Sequence, residues 1–259
     1  MWQRLSTIIR FAIGFGYMAA MAVLTMVIAL LLLPWRPLRI KLCNYYGKLV
    51  GPVLVRLARA TPVVHHRERI ANAKPAIYVS NHCSTLDAFI AIWLCPVGGC
   101  GVVKKEIAHI PFFGWLYLLS GHLRVDRSDR TGAVAALQST AAVVRKYGLS
   151  MWIWPEGTRS RSGRLLPLKK GFVHLAIATG LPVVPVVVHG AHKNWEKHTF
   201  TLNPVTIGVH VLPSIDTSSW RVETTDAHCA EVHRAFAAAL PPDQQPDTPQ
   251  PAVSRPSAP

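Results

Sequence analysis

The sequence predicts an α/β domain, with a mostly parallel or mixed central sheet flanked by helices, behind an N-terminal membrane-anchoring helical segment. Three observations carry this expectation. Residues 11–33, FAIGFGYMAAMAVLTMVIALLLL, contain no charged side chain. From residue 75 onward, short β-branched and apolar runs alternate with stretches of helical period. The run PVVPVVVH lacks polar alternation, as strands covered on both faces of a parallel sheet do.

The apolar run comes first. At ~1.5 Å per residue it makes a helix of roughly 34 Å, enough to cross the hydrocarbon core. MWQR and Arg10 would suit the basic start of a signal peptide, but the run is too long and no small-residue cleavage site follows in LLLLPWRP. After Pro34, residues 38–60 mix apolar side chains with Arg and Lys, the pattern of an amphipathic helix lying in the membrane interface. Arg36, Arg39, Lys41, Lys48, Arg56 and Arg59 outnumber Arg4 and Arg10 on the other side of the run. The positive-inside rule therefore places the C-terminal portion in the cytoplasm, at the inner membrane. A re-entrant hairpin fits the same residues. Residues 1–62 are thus expected to anchor the chain, 63–240 to form the α/β domain, and 241–259, rich in Pro and polar residues, to be a disordered tail.

Within the domain, strands are expected at 76–80, 151–154, 182–189 and 206–212, and helices near 86–95, 131–147 and 170–179. The 259 residues carry 28 Lys and Arg against 13 Asp and Glu, a formal net charge of +15. This surplus suits an anionic partner, either a membrane surface or nucleic acid. No dense basic tract, RNP-like aromatic motif or zinc spacing supports nucleic acid, so the anionic membrane surface is the expected partner. The five cysteines form no CxxC pair and read as free thiols of a reducing compartment. The histidines show no metal-ligand spacing, and neither metal nor cofactor is expected.

Three stretches carry chemistry. In AIYVSNHCSTLDAF a strand runs into a turn and a helix, a place where α/β domains put catalytic groups. Ser84 and Asp87 match a capping box, so this stretch can be an ordinary helix start. Equally, Asp87 is one turn from His82 and can fix its tautomer, making a base with its orienter and no built-in nucleophile. Spacing alone leaves both readings open. Cys83 is a poor rival nucleophile, because neighbours in sequence point apart. MWIWPEGTRS (151–160) ends a strand in a turn where Gly157 admits close backbone approach and Arg159 offers a planar fork for phosphate. Against this stands a plain strand-end turn. GHLRVDRSDR (121–130) alternates charges, as solvated ion-pair ladders do.

In order, NHCSTLD (81–87), GHLRVDR (121–127), WPEGTRS (154–160) and LPVVPV (181–186) resemble the four sequence blocks of the glycerolipid acyltransferases, the 1-acylglycerol-3-phosphate acyltransferases and their relatives. The likeness covers about residues 74–212 and includes KKEIAHIPFFGW and LKKGFVHLAIATG. It implies an O-acyltransferase of phospholipid biosynthesis with a glycerolipid acyltransferase-like fold. It implies His82 as general base, aided by Asp87, on the free hydroxyl of a lysophospholipid acceptor, with acyl-CoA or acyl-carrier protein as donor. Arg127, Glu156, Gly157, Thr158 and Arg159 would bind substrate, with Lys105 and its neighbour Lys104 weaker candidates for the same anion. The run 182–188 reads as core strand. Arg124, Val125, Thr85 and Trp154 depart from the family pattern and leave the acceptor open between lysophosphatidate and another lysolipid such as lyso-ornithine lipid. A thioester or ester hydrolase using the same pair is a further alternative, although no GxSxG elbow is present. So is a basic protein that only binds the membrane surface.

Overall fold

The computed structural model describes residues 2–101, 111–123, 133–195, 201–248 and 250. The N-terminal helix α1 (Trp2–Leu31) begins earlier than expected, because WQRLSTIIR continues the helical pattern. Arg10 is accommodated by its Ser6 contact and by donating to the Leu57 carbonyl at 3.3 Å. α1 is long and apolar enough to cross a membrane and leaves Ile8, Ile13, Leu24, Val27 and Leu31 exposed, a candidate anchor.

α2 (Arg36–Leu57) does more than lie along a surface. Its face carrying Ile40, Asn44, Gly47, Val50 and Gly51 is buried against the domain. A Cβ at Gly47 would stand 2.4 Å from the Ile92 carbonyl oxygen, and one at Gly51 2.6 Å from that of Phe89. Only glycine permits so close an approach to α4 (Leu86–Leu94). Asn44 adds a two-way bond, donating to the Gly99 carbonyl at 2.9 Å and accepting from the Gly98 amide at 2.8 Å.

Among the described residues, six strands form one mixed sheet in the order β1-β6-β5-β2-β4-β3. They are β1 (Ala60–His65), β2 (Ile77–Ser80), β3 (Gly99–Gly101), β4 (Ser150–Ile153), β5 (Val183–His189) and β6 (Val205–Val211). β5 and β6 pair antiparallel; the other neighbours are parallel. Between them come α3 (Glu68–Asn72), α5 (Phe113–Leu119), α6 (Ala133–Tyr147) and α7 (Gly171–Thr179), and α8 (Thr225–Ala239) closes the domain. The boundary expected at 62/63 falls inside β1, whose register with β6 starts at Ala60 against Val205.

Alternation along the central strands separates two cores. Ile77, Val79, Val183 and Val187 pack with α6, α7 and α8, while Tyr78, Val184, Val186 and Val188 pack with α2 and α4. Each such side chain contributes about 1.5–3 kcal/mol of burial. Residues 183–188 are therefore core on both faces, which accounts for their unbroken apolar character, and Pro182 stands half-buried at the strand's start.

The expected disordered tail departs at its beginning. Gln244 is fully buried and hydrogen-bonded, and Asp243, Asp247 and Gln250 bind side chains or backbone of the domain. Proline-rich composition concealed this, because the polar groups find domain partners rather than water.

Candidate active site

β2 ends at Ser80 in the middle of the sheet, and the chain turns through Asn81–Thr85 into α4. Asn81 is buried and spans to β5: its amide donates to the Val188 carbonyl at 2.7 Å and its oxygen accepts from the Val188 amide at 2.8 Å. The next residue, His82, has its ring Nδ1 2.9 Å from Asp87 Oδ2. The same oxygen accepts the backbone amides of Cys83 and Ser84, each at 2.7 Å. A carboxylate only accepts, so Nδ1 carries the hydrogen and the lone pair lies on Nε2. The His82 side chain is 23% exposed and that of Asp87 0%, so a buried carboxylate backs a solvent-reachable imidazole.

Both readings of the spacing coexist here. Asp87 reaching back to the Ser84 amide is one half of a capping box, and Ser84 Oγ accepts the Leu86 amide at 3.2 Å. The helix start and the His–Asp pair share one carboxylate.

The turn after β4, WPEGTRS, closes over His82 from the neighbouring strand. The Trp154 ring stacks on the imidazole at 4.9 Å with an interplanar angle of 25°. Glu156 Oε1 accepts the His82 amide at 2.6 Å, and the Ser160 amide donates to the His82 carbonyl at 2.8 Å. Both backbone groups of His82 are thus fixed by one turn. Glu156 Oε2 accepts the Leu166 amide at 3.1 Å.

Expected among the substrate-binding residues, Glu156 is instead buried, with its oxygens turned to two backbone amides. Burial pushes its carboxyl up to about 8, against the lowering by those amides, and Asp87 nearby raises it further. The unfolded chain releases this proton near 4.5. The group therefore stabilises the fold below that pH, and its contribution is lost as pH rises to about 8. Glu156→Gln should flatten this window: melting temperature measured from pH 5 to 8 should fall less with rising pH than in the parent protein. An unchanged slope would contradict the assignment.

Gly157 has φ of 72°, the left-handed region the turn needs, and a Cβ there would lie 2.8 Å from Lys169 Nζ. Thr158 and Arg159 are exposed. Arg159 donates to Thr85 Oγ1 at 2.6 Å, which holds the guanidinium beside the start of α4. Sequence reasoning missed Lys169 as a second cation at this turn, and no spacing in LKKGF signals it. It also missed the Trp154 stack, although the departure at that position marked the residue. Arg127, Lys105 and Lys104, expected to bind anion, lie outside the described residues, as do Arg124 and Val125. Burial pushes the Cys83 thiol well up, and the Asp87 and Glu156 carboxyls raise it further, so it does not present a thiolate.

Beside Thr85 lies an apolar cavity of about 220 Å3. Phe11, Phe15, Leu54, Leu57, Phe89 and Leu202 help line it. It therefore sits between α1, α2 and α4, on the side of the candidate anchor.

The Acyltransferase family profile matches residues 61–189, which span the His–Asp turn, the WPEGTRS turn and β5. A 1-acyl-sn-glycerol-3-phosphate acyltransferase of Limnanthes douglasii is 43% identical over 219 residues, 85% of this chain and 77% of that protein. The chain belongs to this acyltransferase family. Further acyltransferases of the same name are similar. One from Cocos nucifera is 38% identical over 93% of this chain and 77% of its own length. One from Escherichia coli is 38% identical over 61% of this chain and 64% of its own. The crystal structure of the acyltransferase PlsC from Thermotoga maritima shares the fold, with a TM-score of 0.74 at 22% identity over 91% of this chain and 94% of that one. As a member of this family the protein is an O-acyltransferase.

Proposed function

We propose that the protein transfers a fatty acyl group from acyl-CoA or acyl-carrier protein to the free hydroxyl of 1-acyl-sn-glycerol-3-phosphate, giving phosphatidate. The observation that carries the mechanism is Asp87 Oδ2, which takes His82 Nδ1 and two backbone amides at once. His82 Nε2 takes the hydroxyl proton as the oxygen attacks the thioester carbonyl. The tetrahedral intermediate then expels the thiolate, which receives that proton from the imidazolium. Asp87 stabilises the imidazolium between the two steps, and no covalent enzyme intermediate forms.

Arg159, held by Thr85, and Lys169, over Gly157, favour a phosphate monoester at the WPEGTRS turn. Arg127 and Lys105 are further phosphate ligands in this reading, and Gly157 and Thr158 shape the turn. The apolar cavity beside Thr85 suits an acyl chain, and α1 suits a water-insoluble acceptor. The net charge of +15 suits an anionic membrane surface. The protein sits at the inner membrane, with its catalytic domain facing the cytoplasmic thioester donor.

The test offers purified protein lysophosphatidate, lyso-ornithine lipid and neutral lysolipids, each with acyl-CoA or acyl-carrier protein, and identifies products by mass spectrometry. Phosphatidate as the dominant product is expected. Dominant acylation of a lysolipid without a phosphate monoester would overturn the acceptor. Free fatty acid released without acceptor would replace transfer by hydrolysis.

A further inference from the structure

The segment 161–168, RSGRLLPL, leaves the WPEGTRS turn without helix or strand of its own. Its course is fixed from outside by the chain that follows α8. Gln244, with no exposed surface, bonds three ways. Its Oε1 accepts the Gly190 amide at 2.7 Å, its Nε2 donates to the Gly163 carbonyl at 3.1 Å, and its own carbonyl accepts the Leu165 amide at 2.9 Å. Gln250 grips the end of the segment, with its Oε1 accepting the Leu168 amide at 2.8 Å and its Nε2 donating to the Leu168 carbonyl at 3.0 Å. Exposed pairs frame the strap: Lys193 with Asp243 at 2.8 Å and Arg164 with Asp247 at 3.3 Å.

Both segments that Gln244 joins border the turn of His82. On one side, Leu166 follows Leu165 and donates to Glu156, whose other oxygen holds the His82 amide. On the other, Gly190 leads into His192, whose ring lies against Gly163 and whose backbone lies near enough to the Cys83 thiol, next to His82, to influence it. Gln244 therefore ties together the two flanks of the turn from the far end of the chain. Its amide is the right group for this task. It supplies one donor and one acceptor to two backbone partners without burying a charge.

We propose that Gln244 is a positioning residue for the acyl-transfer site, acting through Leu166 and Glu156 on the backbone of His82. This rests on His82 being the reacting base. Displacement of a catalytic group by ~1 Å is enough to cost on the order of a hundredfold in rate, and a slackened strap gives part of such a displacement.

The test is Gln244→Met in the full chain, which keeps size and apolar packing but removes both side-chain hydrogen bonds. Asp247→Asn, which cuts only the exposed pair to Arg164, is the control. Two readouts are taken on protein below its melting transition. The first is kcat and KM for acyl transfer. The second is the rate at which diethyl pyrocarbonate modifies His82, followed by peptide mass spectrometry with exposed His66 as internal reference. Gln244→Met should lower kcat about tenfold with KM within about twofold. It should also change His82 modification relative to His66 by about threefold or more, with Asp247→Asn matching the parent in both. If Gln244→Met fails to fold, Gln244→Glu, which replaces the donor to Gly163 with an acceptor and brings a carboxyl into the buried site, carries the same expectation in direction. Unchanged kcat and unchanged His82 modification in a folded variant would overturn the proposal. If the parent protein transfers no acyl group, the functional reading fails, and the modification rate still decides whether Gln244 positions His82.

Discussion

His82→Ala should lower kcat by about 10²–10⁴-fold, the usual contribution of a positioned general base. The protein should stay folded. The imidazole is partly exposed, and its removal takes away the stack on Trp154 and one bond to Asp87, while both backbone groups of residue 82 keep their partners on Glu156 and Ser160. KM for the acceptor should move little, because Arg159 and Lys169, the proposed phosphate ligands, stand on the WPEGTRS side. Steady-state transfer followed by mass spectrometry, with a melting curve on the same preparation, reads this directly. Turnover near that of the parent would end the general-base mechanism.

Asp87→Asn is expected to have the second largest effect, and its size separates charge from orientation. The Cys83 and Ser84 amides both point at Oδ2, so an asparagine would place its oxygen there and its NH2 on the other side. The oxygen still accepts Nδ1–H, and the tautomer survives. What is lost is the negative charge facing the imidazolium, which should cost about 10–100-fold in kcat, as for one charge-assisted hydrogen bond. The carboxylate's Oδ1 is buried with no partner among the described residues, so the new NH2 would be buried unpaired, and the melting temperature should fall as well. Asp87→Ala frees the tautomer too and should approach His82→Ala in rate. It also leaves two amides without an acceptor, costing about 1–3 kcal/mol each. If Asp87→Asn matched the parent in kcat, the charge would play no part in the rate; if Asp87→Ala matched it as well, Asp87 would be a capping residue only.

The sequence made part of this arrangement legible. The strands Ile77–Ser80 and Val183–His189 announced themselves through unbroken apolar runs, because burial on both faces forbids polar alternation. The same property hid the antiparallel pairing of β5 with β6: a covered strand reads alike in either direction. β3 consists of Gly99–Gly101, with no β-branched side chain, and β1 follows LVRLARA, whose helical character ran into it. In the site, the five-residue separation of His82 and Asp87 is local and could be read. The closure of Glu156, Trp154 and Ser160 over His82 could not, since it depends on β2 and β4 being sheet neighbours across more than seventy intervening residues. Gln244 was hidden for a related reason. Its burial comes from partners at 163–165 and 190, and composition alone placed it among solvated tail residues.

Asn81 has a consequence for how freely this chain can vary. Its carboxamide does the work of a peptide group, matching the donor and acceptor of Val188 just beyond the last residue of β2. Aspartate would offer no donor, serine would fall short, and glutamine is one methylene too long for the same closure. Position 81 is therefore narrowly restricted although its amide is committed to the protein's own backbone. A mutational library scored for activity would flag Asn81 as strongly as His82, and ranking positions by intolerance would place a backbone splint among the reacting groups. Purified variants would separate them: loss of Asn81 lowers the melting temperature together with activity, whereas loss of His82 lowers activity alone.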